Sequence, residues 1–183
     1  FWDSAPAALR QLAGFFPPPG DPRGAGSRLR LVFLSGDWIP VALPGRVRAA
    51  FPSARVIGLG GATEATIWSN FFPIGEVGAT WTSIPYGKAM VNQTFFVLGP
   101  DLEPRPVWVP GHLYIGGIGL AKGYWRDEEK TNASFVRHPR TGETLHTDVW
   151  CLDKEVKKDR KWVRVRSETR AFGSNELLFT GVM

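Results

Sequence analysis

The fold is set by residues 29–60, which run LRLVFLSGDWIPVALPGRVRAAFPSARVIGLG. Two mostly apolar runs of strand length, residues 29–34 and 54–59, stand on either side of residues 43–51, where apolar side chains recur with helical spacing. Pro52 then ends the helix. A strand, a helix and a second strand with connections of this length are typical of a right-handed parallel crossover. The stretch therefore predicts an α/β layer with parallel strands.

Upstream of this layer, the sequence predicts one short helix and one loop. Asp3 and Ser4 are typical of a helix cap, and the Ala- and Leu-rich residues after them predict a helix that stops at Gly14. Residues 15–27 are rich in Pro and Gly, which predicts a loop without regular structure.

Downstream of the layer, short β-rich runs at residues 94–98 and 106–109 are separated by Gly and Pro turns, which predicts antiparallel strands. Residues 127–135 predict a two-turn helix, and residues 139–142 predict a hairpin turn. The predicted fold class is therefore α/β, with a parallel strand-helix-strand layer followed by a small β-barrel-like region.

Composition and charge argue against a nucleic-acid partner. The 183 residues are 43% hydrophobic and 21% charged, as in an ordinary folded domain. The net charge of +5 lies in residues 154–170, which hold eight basic and three acidic residues, while the rest of the chain is balanced at fourteen of each sign. Because the body of the chain carries no basic excess, we expect it to bind no nucleic acid.

The sequence also argues against a membrane or zinc-finger protein. No run approaches the ~20 apolar residues that a membrane span needs, and the first residues lack the basic and apolar segments of a secretion signal. We therefore expect no membrane partner and a cytoplasmic location. Cys151 is the only cysteine, so an internal disulfide is excluded, and the three histidines are not spaced with it as metal ligands would be.

The run GGATEATIW at residues 60–68 follows the second predicted strand. Ligands of α/β sheets bind at the carboxyl ends of strands, and glycines there let a flat ring or a phosphate approach the backbone. Thr63 adds a hydroxyl donor for a phosphate oxygen, and Glu64 adds a hard anionic ligand suited to Mg²⁺. Taken alone, the run is equally compatible with a Gly-rich turn before a capped segment.

A second Gly-rich run, GHLYIGGIGLAKGYW, occupies residues 111–125. Its Gly117, Gly119 and Gly123 differ from a dinucleotide fingerprint, because that motif needs its third Gly one position earlier and an acidic residue about twenty positions on. The glycines are instead suited to tight strand packing.

Together, and in this order, the two runs resemble two core motifs of the adenylate-forming enzymes, specifically of the adenylation domains of nonribosomal peptide synthetases. The second run matches Gly-X-Leu-X-Ile-X-Gly-X-Gly-X-Ala-X-Gly-Tyr-Trp at nearly every fixed position, with His112 where the family usually has Glu. Its role in that family is chiefly structural. The Gly-Gly-Ala-Thr-Glu form of the first run is similar to the subgroup that activates cysteine or serine in thiazoline and oxazoline assembly lines.

The resemblance implies ATP and Mg²⁺ as cofactors. It places Thr63 on the α-phosphate and Glu64 on the magnesium, which makes these two the catalytic residues. It places the segment before them along the adenine, and that segment is Gly60, Gly61 and Ala62.

A third and weaker match is TGETLHTD at residues 141–148, which lacks two positions of the family's motif. It implies that Asp148 accepts hydrogen bonds from the ribose hydroxyls. Agreement with the family breaks near this point. Residues 1–149 are therefore predicted to be part of an adenylation (AMP-binding) domain, and residues 150–183 a divergent basic tail. For that tail, a degenerate start of the C-terminal lobe and an out-of-frame or intron-derived translation remain open.

The resemblance also implies an amino-acid pocket. A small polar serine among apolar and aromatic walls suits a short side chain and resembles cysteine-type pockets, although an Asp and a Phe stand where the family would have Asn and a smaller aliphatic residue. The alternative is plain core packing, which residue type favours for Phe33, Leu59 and Ile67. The matching residues are Asp3, Phe33, Ser35, Leu59, Ile67 and Trp68.

The parent protein is thereby expected to convert ATP and an amino acid, cysteine first, into an aminoacyl adenylate and pyrophosphate. The acyl group would pass to the phosphopantetheine thiol of a peptidyl carrier protein, next to other synthetase domains. The chain would cover the later part of the large subdomain. It lacks the Ser/Thr/Gly-rich phosphate loop with its Lys, the Asp for the substrate ammonium, and a recognisable C-terminal lobe with its catalytic Lys. We therefore expect no catalysis by this chain alone.

Two other functions remain open from the sequence. The chain could be a fragment of an acyl-CoA or aryl-acid ligase, which shares the phosphate motifs and lacks the amino-acid pocket. It could also be a non-catalytic remnant or interaction module whose basic tail binds an acidic partner.

Overall fold

The chain divides into two compact units. The first comprises Phe1–Gly60 and Phe71–Pro85, and the second comprises Gly61–Asn70 and Tyr86–Met183. The structure is a computed structural model that describes residues 1–107, 109–147, 166–170 and 177–182.

The first unit is a parallel α/β layer. Its strands are Trp2–Ser4 (β1), Leu31–Leu34 (β2), Arg55–Gly60 (β3) and Asn70–Ile74 (β4), the last beginning in the second unit. Its helices are Pro6–Leu12 (α1), Pro22–Ala25 (α2) and Leu43–Ala50 (α3). The strands lie in the order β1-β2-β3-β4, and β1, β2 and β3 are parallel. The strand, helix and strand predicted between residues 29 and 59 are confirmed as β2, α3 and β3.

Burial alternates along the two central strands of this layer. Val32 and Leu34 on β2 and Val56 on β3 are buried, and the residues between them are half-buried on the opposite face. Leu43 and Val47 of α3 belong to the same core cluster, since residues four apart share one face of a helix. Each fully buried side chain of this kind contributes about 1.5–3 kcal/mol, so the β2-α3-β3 crossover supplies much of the stability of the unit.

The predicted helix cap at Asp3 and Ser4 is wrong. Both residues belong to β1, which pairs with β2, and α1 begins after Ala5 without a side-chain cap bond. The backbone of the two residues pairs with β2, and beyond the strand end the Ser35 amide donates a 3.3 Å bond to the Ser4 carbonyl.

Residues 15–27 were predicted to lack regular structure, and this is also wrong. The helix α2 forms there because Asp21 caps it, accepting a 2.8 Å bond from the Arg23 amide, and because Pro22 suits the first helical position. A 3-10 turn at Ala13–Phe15 continues past Gly14, where the sequence predicted a stop.

The second unit is built on antiparallel strands. Its described elements are Lys88–Ala89 (β5), Gln93–Leu98 (β6), His112–Gly117 (β7), Glu128–Ser134 (α4), Phe135–Arg137 (β8), Thr144–Thr147 (β9), Arg166–Arg170 (β10) and Leu177–Val182 (β11). The strands of one sheet lie in the order β6-β7-β9-β8, every neighbouring pair being antiparallel, and β10 pairs antiparallel with β11. The predicted strand at residues 94–98 and the predicted helix at residues 127–135 are confirmed.

The strand β7 is buried on both faces. Leu113 and Ile115 pack with Phe95, while Tyr114 packs with Leu145 on the other side of the sheet. The hairpin turn predicted before β9 is confirmed by a 2.9 Å bond from the Gly142 amide to the His138 carbonyl.

The strand predicted at residues 106–109 is not found in its described residues. The Val109 amide donates a 3.1 Å bond to the Pro106 carbonyl, which closes a turn. Because Pro106 has no amide hydrogen to donate to a neighbouring strand, this position is better suited to a turn than to a strand. Across the described residues, none of the helices combines the length and the apolar character needed to cross a membrane.

Two glycines in helices of the first unit predict opposite effects of the same substitution. A Cβ atom at Gly24 would lie 2.0 Å from the carbonyl oxygen of Ala50, whereas a Cβ atom at Gly45 would meet nothing within 4 Å. We expect Gly24→Ala to lower the free energy of unfolding by about 1–3 kcal/mol. Gly45→Ala should raise it by about 0.5–1 kcal/mol. Urea unfolding followed by circular dichroism measures both, and a neutral result for Gly24→Ala would contradict the close packing of α2 on the end of α3.

Candidate nucleotide and metal site

The first Gly-rich run forms a loop at the carboxyl end of β3, as predicted. Gly60 ends the strand, and residues Thr63–Ala65 form a 3-10 turn. Gly61 has φ +140°, and a Cβ atom there would lie 2.6 Å from the Ser69 amide nitrogen. Glycine is therefore required at this position for both its conformation and the close approach of the backbone.

The loop contains two β-branched residues in the left-handed region, Thr66 (φ 62°) and Ile67 (φ 67°). That conformation is rare for such residues and persists only where the surroundings hold it. The Ile67 amide donates a 3.1 Å bond to the Ala62 carbonyl, and the Trp68 amide donates a 2.7 Å bond to the Thr66 carbonyl. The Thr66 hydroxyl donates a bond to the carbonyl of Gly119.

Glu64 lies at the centre of a polar cluster in the second unit. The Tyr124 hydroxyl donates a hydrogen bond to its Oε1 atom, and the His146 Nε2 atom lies 3.9 Å from its Oε2 atom. The Glu64 side chain is 24% exposed. The bond from Tyr124 is the largest cause that lowers the pKa of Glu64 below its ordinary value of 4.5, and His146 and Lys130 add smaller contributions. Glu64 is therefore a carboxylate at neutral pH.

Tyr124 is held by the start of α4. Its amide donates a 2.8 Å bond to the Thr131 hydroxyl, and that hydroxyl donates a 2.7 Å bond to the Asp127 carbonyl. The Lys130 Nζ atom lies 4.1 Å from the centre of the Tyr124 ring, a cation–π distance. The bond to Glu64 is also the chief cause that raises the pKa of Tyr124 above its ordinary value of 10.0. The phenol therefore keeps its proton and acts as a donor.

His146 is buried next to this cluster, with 7% of its side chain exposed. Its Nδ1 atom lies 3.1 Å from the carbonyl oxygen of Ser134. Because a carbonyl oxygen only accepts, this bond requires a proton on Nδ1, and in the neutral ring Nε2 faces Glu64 without a proton.

The chemistry of Glu64 fits a magnesium ion that is shared with a phosphate ligand. Mg²⁺ typically takes one or two carboxylates, with waters and substrate phosphates completing its shell. Glu64 supplies one ionised, partly exposed carboxylate, and within the described part of the chain no three metal-ligating side chains cluster into a closed metal cage. A single ionised and partly exposed carboxylate is therefore compatible with a magnesium ion whose other ligands are waters and phosphate oxygens.

The structure brings the other predicted nucleotide residues into the same loop, with one exception. Gly60, Gly61 and Ala62 lead directly into the turn that carries Thr63, whose side chain is exposed and available to a ligand. Asp148, the predicted ribose ligand, lies outside the described residues.

Four predicted pocket residues lie on one face of the first unit. Asp3 on β1 is level with Phe33 on β2, and Ser35 and Leu59 each follow the last register pair of β2 and β3. These residues alternate with the buried ones and so point away from the core. Neither Phe33 nor Leu59 belongs to the core cluster of the unit, and the centre of the Phe33 ring lies 6.3 Å from the centre of the Phe1 ring.

The other two predicted pocket residues, Ile67 and Trp68, lie in the second unit. Ile67 is 65% exposed, which contradicts the alternative that it packs in a core. Trp68 is half-buried at the end of the loop.

Neither Tyr124 nor His146 is predicted by the sequence as part of this cluster. Tyr124 lies 60 residues from Glu64 along the chain, so no local spacing reveals the contact. The one local signal is Gly123, whose φ of +141° and whose closeness to Thr131 turn the backbone so that Tyr124 reaches Glu64.

Comparisons with known proteins show the family of the chain. A model of the AMP-binding enzyme family matches residues 1–125. Bacitracin synthase 1 of Bacillus licheniformis is 45% identical over 154 residues, covering 84% of this chain and 3% of that protein. Pyochelin synthetase PchE of Pseudomonas aeruginosa is 36% identical over 181 residues, covering 98% of this chain and 11% of that protein.

Among solved structures, the nonribosomal peptide synthetase FmoA3 is 46% identical with a TM-score of 0.71, covering 80% of this chain and 16% of that one. FmoA3 has also been solved with AMPPNP bound and with α-methyl-L-serine-AMP bound.

The chain belongs to the AMP-binding enzyme family. Within that family it is part of an adenylation domain of the nonribosomal peptide synthetase type, and the predicted α/β fold is confirmed. The chain spans between 3% and 16% of the length of the three relatives described above.

The lowered pKa of Glu64 predicts a pH-dependent contribution to stability. A carboxyl group whose pKa is lower in the folded than in the unfolded chain stabilises the fold above its unfolded pKa, and this stabilisation is lost as the pH falls through the folded pKa. We expect Glu64→Gln to lower the melting temperature at pH 7. The difference from the unchanged chain should shrink as the pH falls below about 4.5. Thermal unfolding between pH 7 and pH 3 measures this difference, and a difference independent of pH would argue against the Tyr124–Glu64 bond.

Proposed function

We propose that this chain is part of a domain that activates an amino acid with ATP. The reaction joins the amino-acid carboxylate to the α-phosphorus of ATP and releases pyrophosphate. The aminoacyl group then passes from AMP to the phosphopantetheine thiol of a peptidyl carrier protein. The observation that carries the proposal is an ionised Glu64, held by Tyr124, in the loop after a parallel strand of a chain that belongs to the AMP-binding family.

Each predicted nucleotide residue has a role in this proposal. Thr63 donates its exposed hydroxyl to an α-phosphate oxygen, and Glu64 ligates Mg²⁺, which neutralises phosphate charge when it is bound. Gly60, Gly61 and Ala62 let the adenine lie against the backbone because no long side chain covers them. Asp148 accepts hydrogen bonds from the ribose hydroxyls, a role that we propose from its sequence motif alone.

The amino acid that we propose is cysteine. Phe33 and Leu59 are half-buried outside the core cluster, and Ser35, which follows the end of β2, offers a small polar side chain. The exposed carboxylate of Asp3, level with Phe33, adds a negative charge on that face. This combination suits a short and weakly polar side chain, and the Gly-Gly-Ala-Thr-Glu form of the loop favours the same group of substrates.

We further propose that residues 1–149 form the later part of the large subdomain and that residues 150–183 form a divergent tail. Adenylyl transfer needs positive charge on the β- and γ-phosphates and a lysine in the C-terminal lobe, and these groups are missing from the recognisable motifs of this sequence. The chain by itself therefore lacks the means to stabilise the transition state.

The purified 183-residue chain is accordingly expected to give no amino-acid-dependent exchange of pyrophosphate into ATP with any of the twenty standard amino acids. FmoA3, which has been solved with α-methyl-L-serine-AMP bound, is assayed in parallel as the positive control. Exchange above background with any amino acid would contradict the proposed incompleteness.

Specificity is tested by replacing the aligned part of FmoA3 with residues 1–147 of this chain and measuring pyrophosphate exchange. We expect the chimera to prefer cysteine over serine by at least about tenfold, because one polar atom of different size in a fitted pocket discriminates on that scale. The same chimera carrying Glu64→Gln is the matched control and should lose exchange with every substrate. Preference for serine or α-methylserine would contradict the cysteine assignment, and preference for an aryl or fatty acid would contradict amino-acid activation itself.

A further inference from the structure

The two Gly-rich runs are bonded to each other in the second unit. The Ala121 amide donates a 2.7 Å bond to the backbone carbonyl of Glu64. The Thr66 hydroxyl donates to the Gly119 carbonyl, and the Tyr124 hydroxyl donates to the Glu64 carboxylate. The first two bonds hold the backbone of the loop, and the third holds the charged side chain of Glu64.

Tyr124 is well placed to fix that side chain because it is itself fixed. Its amide is bonded to Thr131, its ring lies under the Lys130 ammonium, and its ring edge meets Phe135 at a centroid distance of 6.0 Å. Because Tyr124 is held by these three contacts, its hydroxyl occupies one position. The long and partly exposed Glu64 side chain would otherwise spread over several rotamers.

The two carboxylate oxygens of Glu64 have different surroundings. Oε1 accepts from Tyr124, while Oε2 lies 3.9 Å from His146 Nε2, which is beyond hydrogen-bond distance. Oε2 is therefore the carboxylate oxygen that Tyr124 leaves to another ligand, and the direction in which it points is set by the bond to Oε1.

We propose that Tyr124 is a positioning residue, which orients the Glu64 carboxylate so that Oε2 meets the metal of the bound metal–nucleotide complex. The second Gly-rich run then contributes to the site through this hydroxyl as well as to the packing of the sheet. This inference rests on the proposed role of Glu64 as the metal ligand.

The test uses the full 183-residue chain, with its glutamate side-chain carboxyl carbons labelled with ¹³C and with Mn²⁺ and ATP as the probe. Mn²⁺ replaces Mg²⁺ at oxygen sites and broadens the resonance of any nucleus next to it. The Glu64 signal is identified as the one missing from Glu64→Gln. In Tyr124→Phe, which keeps the ring and loses only the hydroxyl, we expect the Glu64 signal to need about tenfold more Mn²⁺ for the same broadening, the usual scale for removing a partner of a metal ligand.

Two control variants distinguish orientation of the Glu64 carboxylate from general support of the loop. Tyr114→Phe makes the same chemical change on β7, where the ring packs with Leu98 and Leu145, and should titrate like the unchanged chain. Thr66→Val removes another bond between the two runs without touching the carboxylate, and should shift the titration by much less than Tyr124→Phe does.

Each other outcome overturns the inference in a distinguishable way. If Tyr124→Phe titrates like the unchanged chain while Glu64 is broadened in both, the metal role of Glu64 stands and the positioning role of Tyr124 fails. If Thr66→Val shifts the titration as far as Tyr124→Phe, the bonds between the runs act only as structural support. If Mn²⁺ with ATP leaves the Glu64 signal of the unchanged chain sharp, the metal role proposed for Glu64 fails and the inference fails with it.

Discussion

The parallel pairing of β2 with β3 is the constraint on which the first unit depends, and the chain leaves that unit at the end of β3. Val32, Leu34 and Val56 are buried on one face of this pair, and α3 covers them with Val47. Because the side chains of a strand alternate, burying these residues fixes which face the others occupy and where the carboxyl end of β3 lies. The Gly-rich loop that carries Thr63 and Glu64 continues directly from that end.

The loop keeps an unfavourable backbone because its hydrogen bonds offset the cost. Left-handed conformations at Thr66 and Ile67 cost about 1–3 kcal/mol each. The bonds of the Ile67 and Trp68 amides, of the Thr66 hydroxyl and of the Ala121 amide contribute about 0.5–1.5 kcal/mol each. The two sums are of the same size. Such a loop is held in one shape without excess stability.

The sequence correctly predicted those strands and helices whose formation depends on the spacing of nearby apolar residues. The strands β2 and β3 and the helix α3 followed from apolar spacing, since burial against one core imposes that spacing. The cap predicted at Asp3 and Ser4 failed because residues that suit a helix cap also fit a short edge strand, and pairing with β2 decides between them. The helix α2 was missed because the turn-forming Pro and Gly residues around it outweigh a single cap residue, Asp21, in any sequence argument.

The candidate site was predictable to the extent that its residues are consecutive. Thr63 and Glu64 follow from their place after a strand, whereas the hydroxyl that binds Glu64 comes from a run that the sequence assigns to sheet packing. No periodicity links positions 60 residues apart. Only the folded second unit, with Gly123 turning the chain at φ +141° in front of Thr131, brings them together.

Alternation along the strands also separates stability from specificity. On β2 and β3 the residues that build the core and the residues proposed for the amino-acid pocket occupy opposite faces of the same strands. On that proposed role, a change at Ser35 or Leu59 alters what the edge of the sheet can accept without removing a side chain from the core, since neither residue belongs to the buried cluster. Changes at Val32 or Val56 do the reverse, because they create cavities in the core of the first unit. The side chains proposed for the pocket can therefore vary while the core of the first unit stays unchanged.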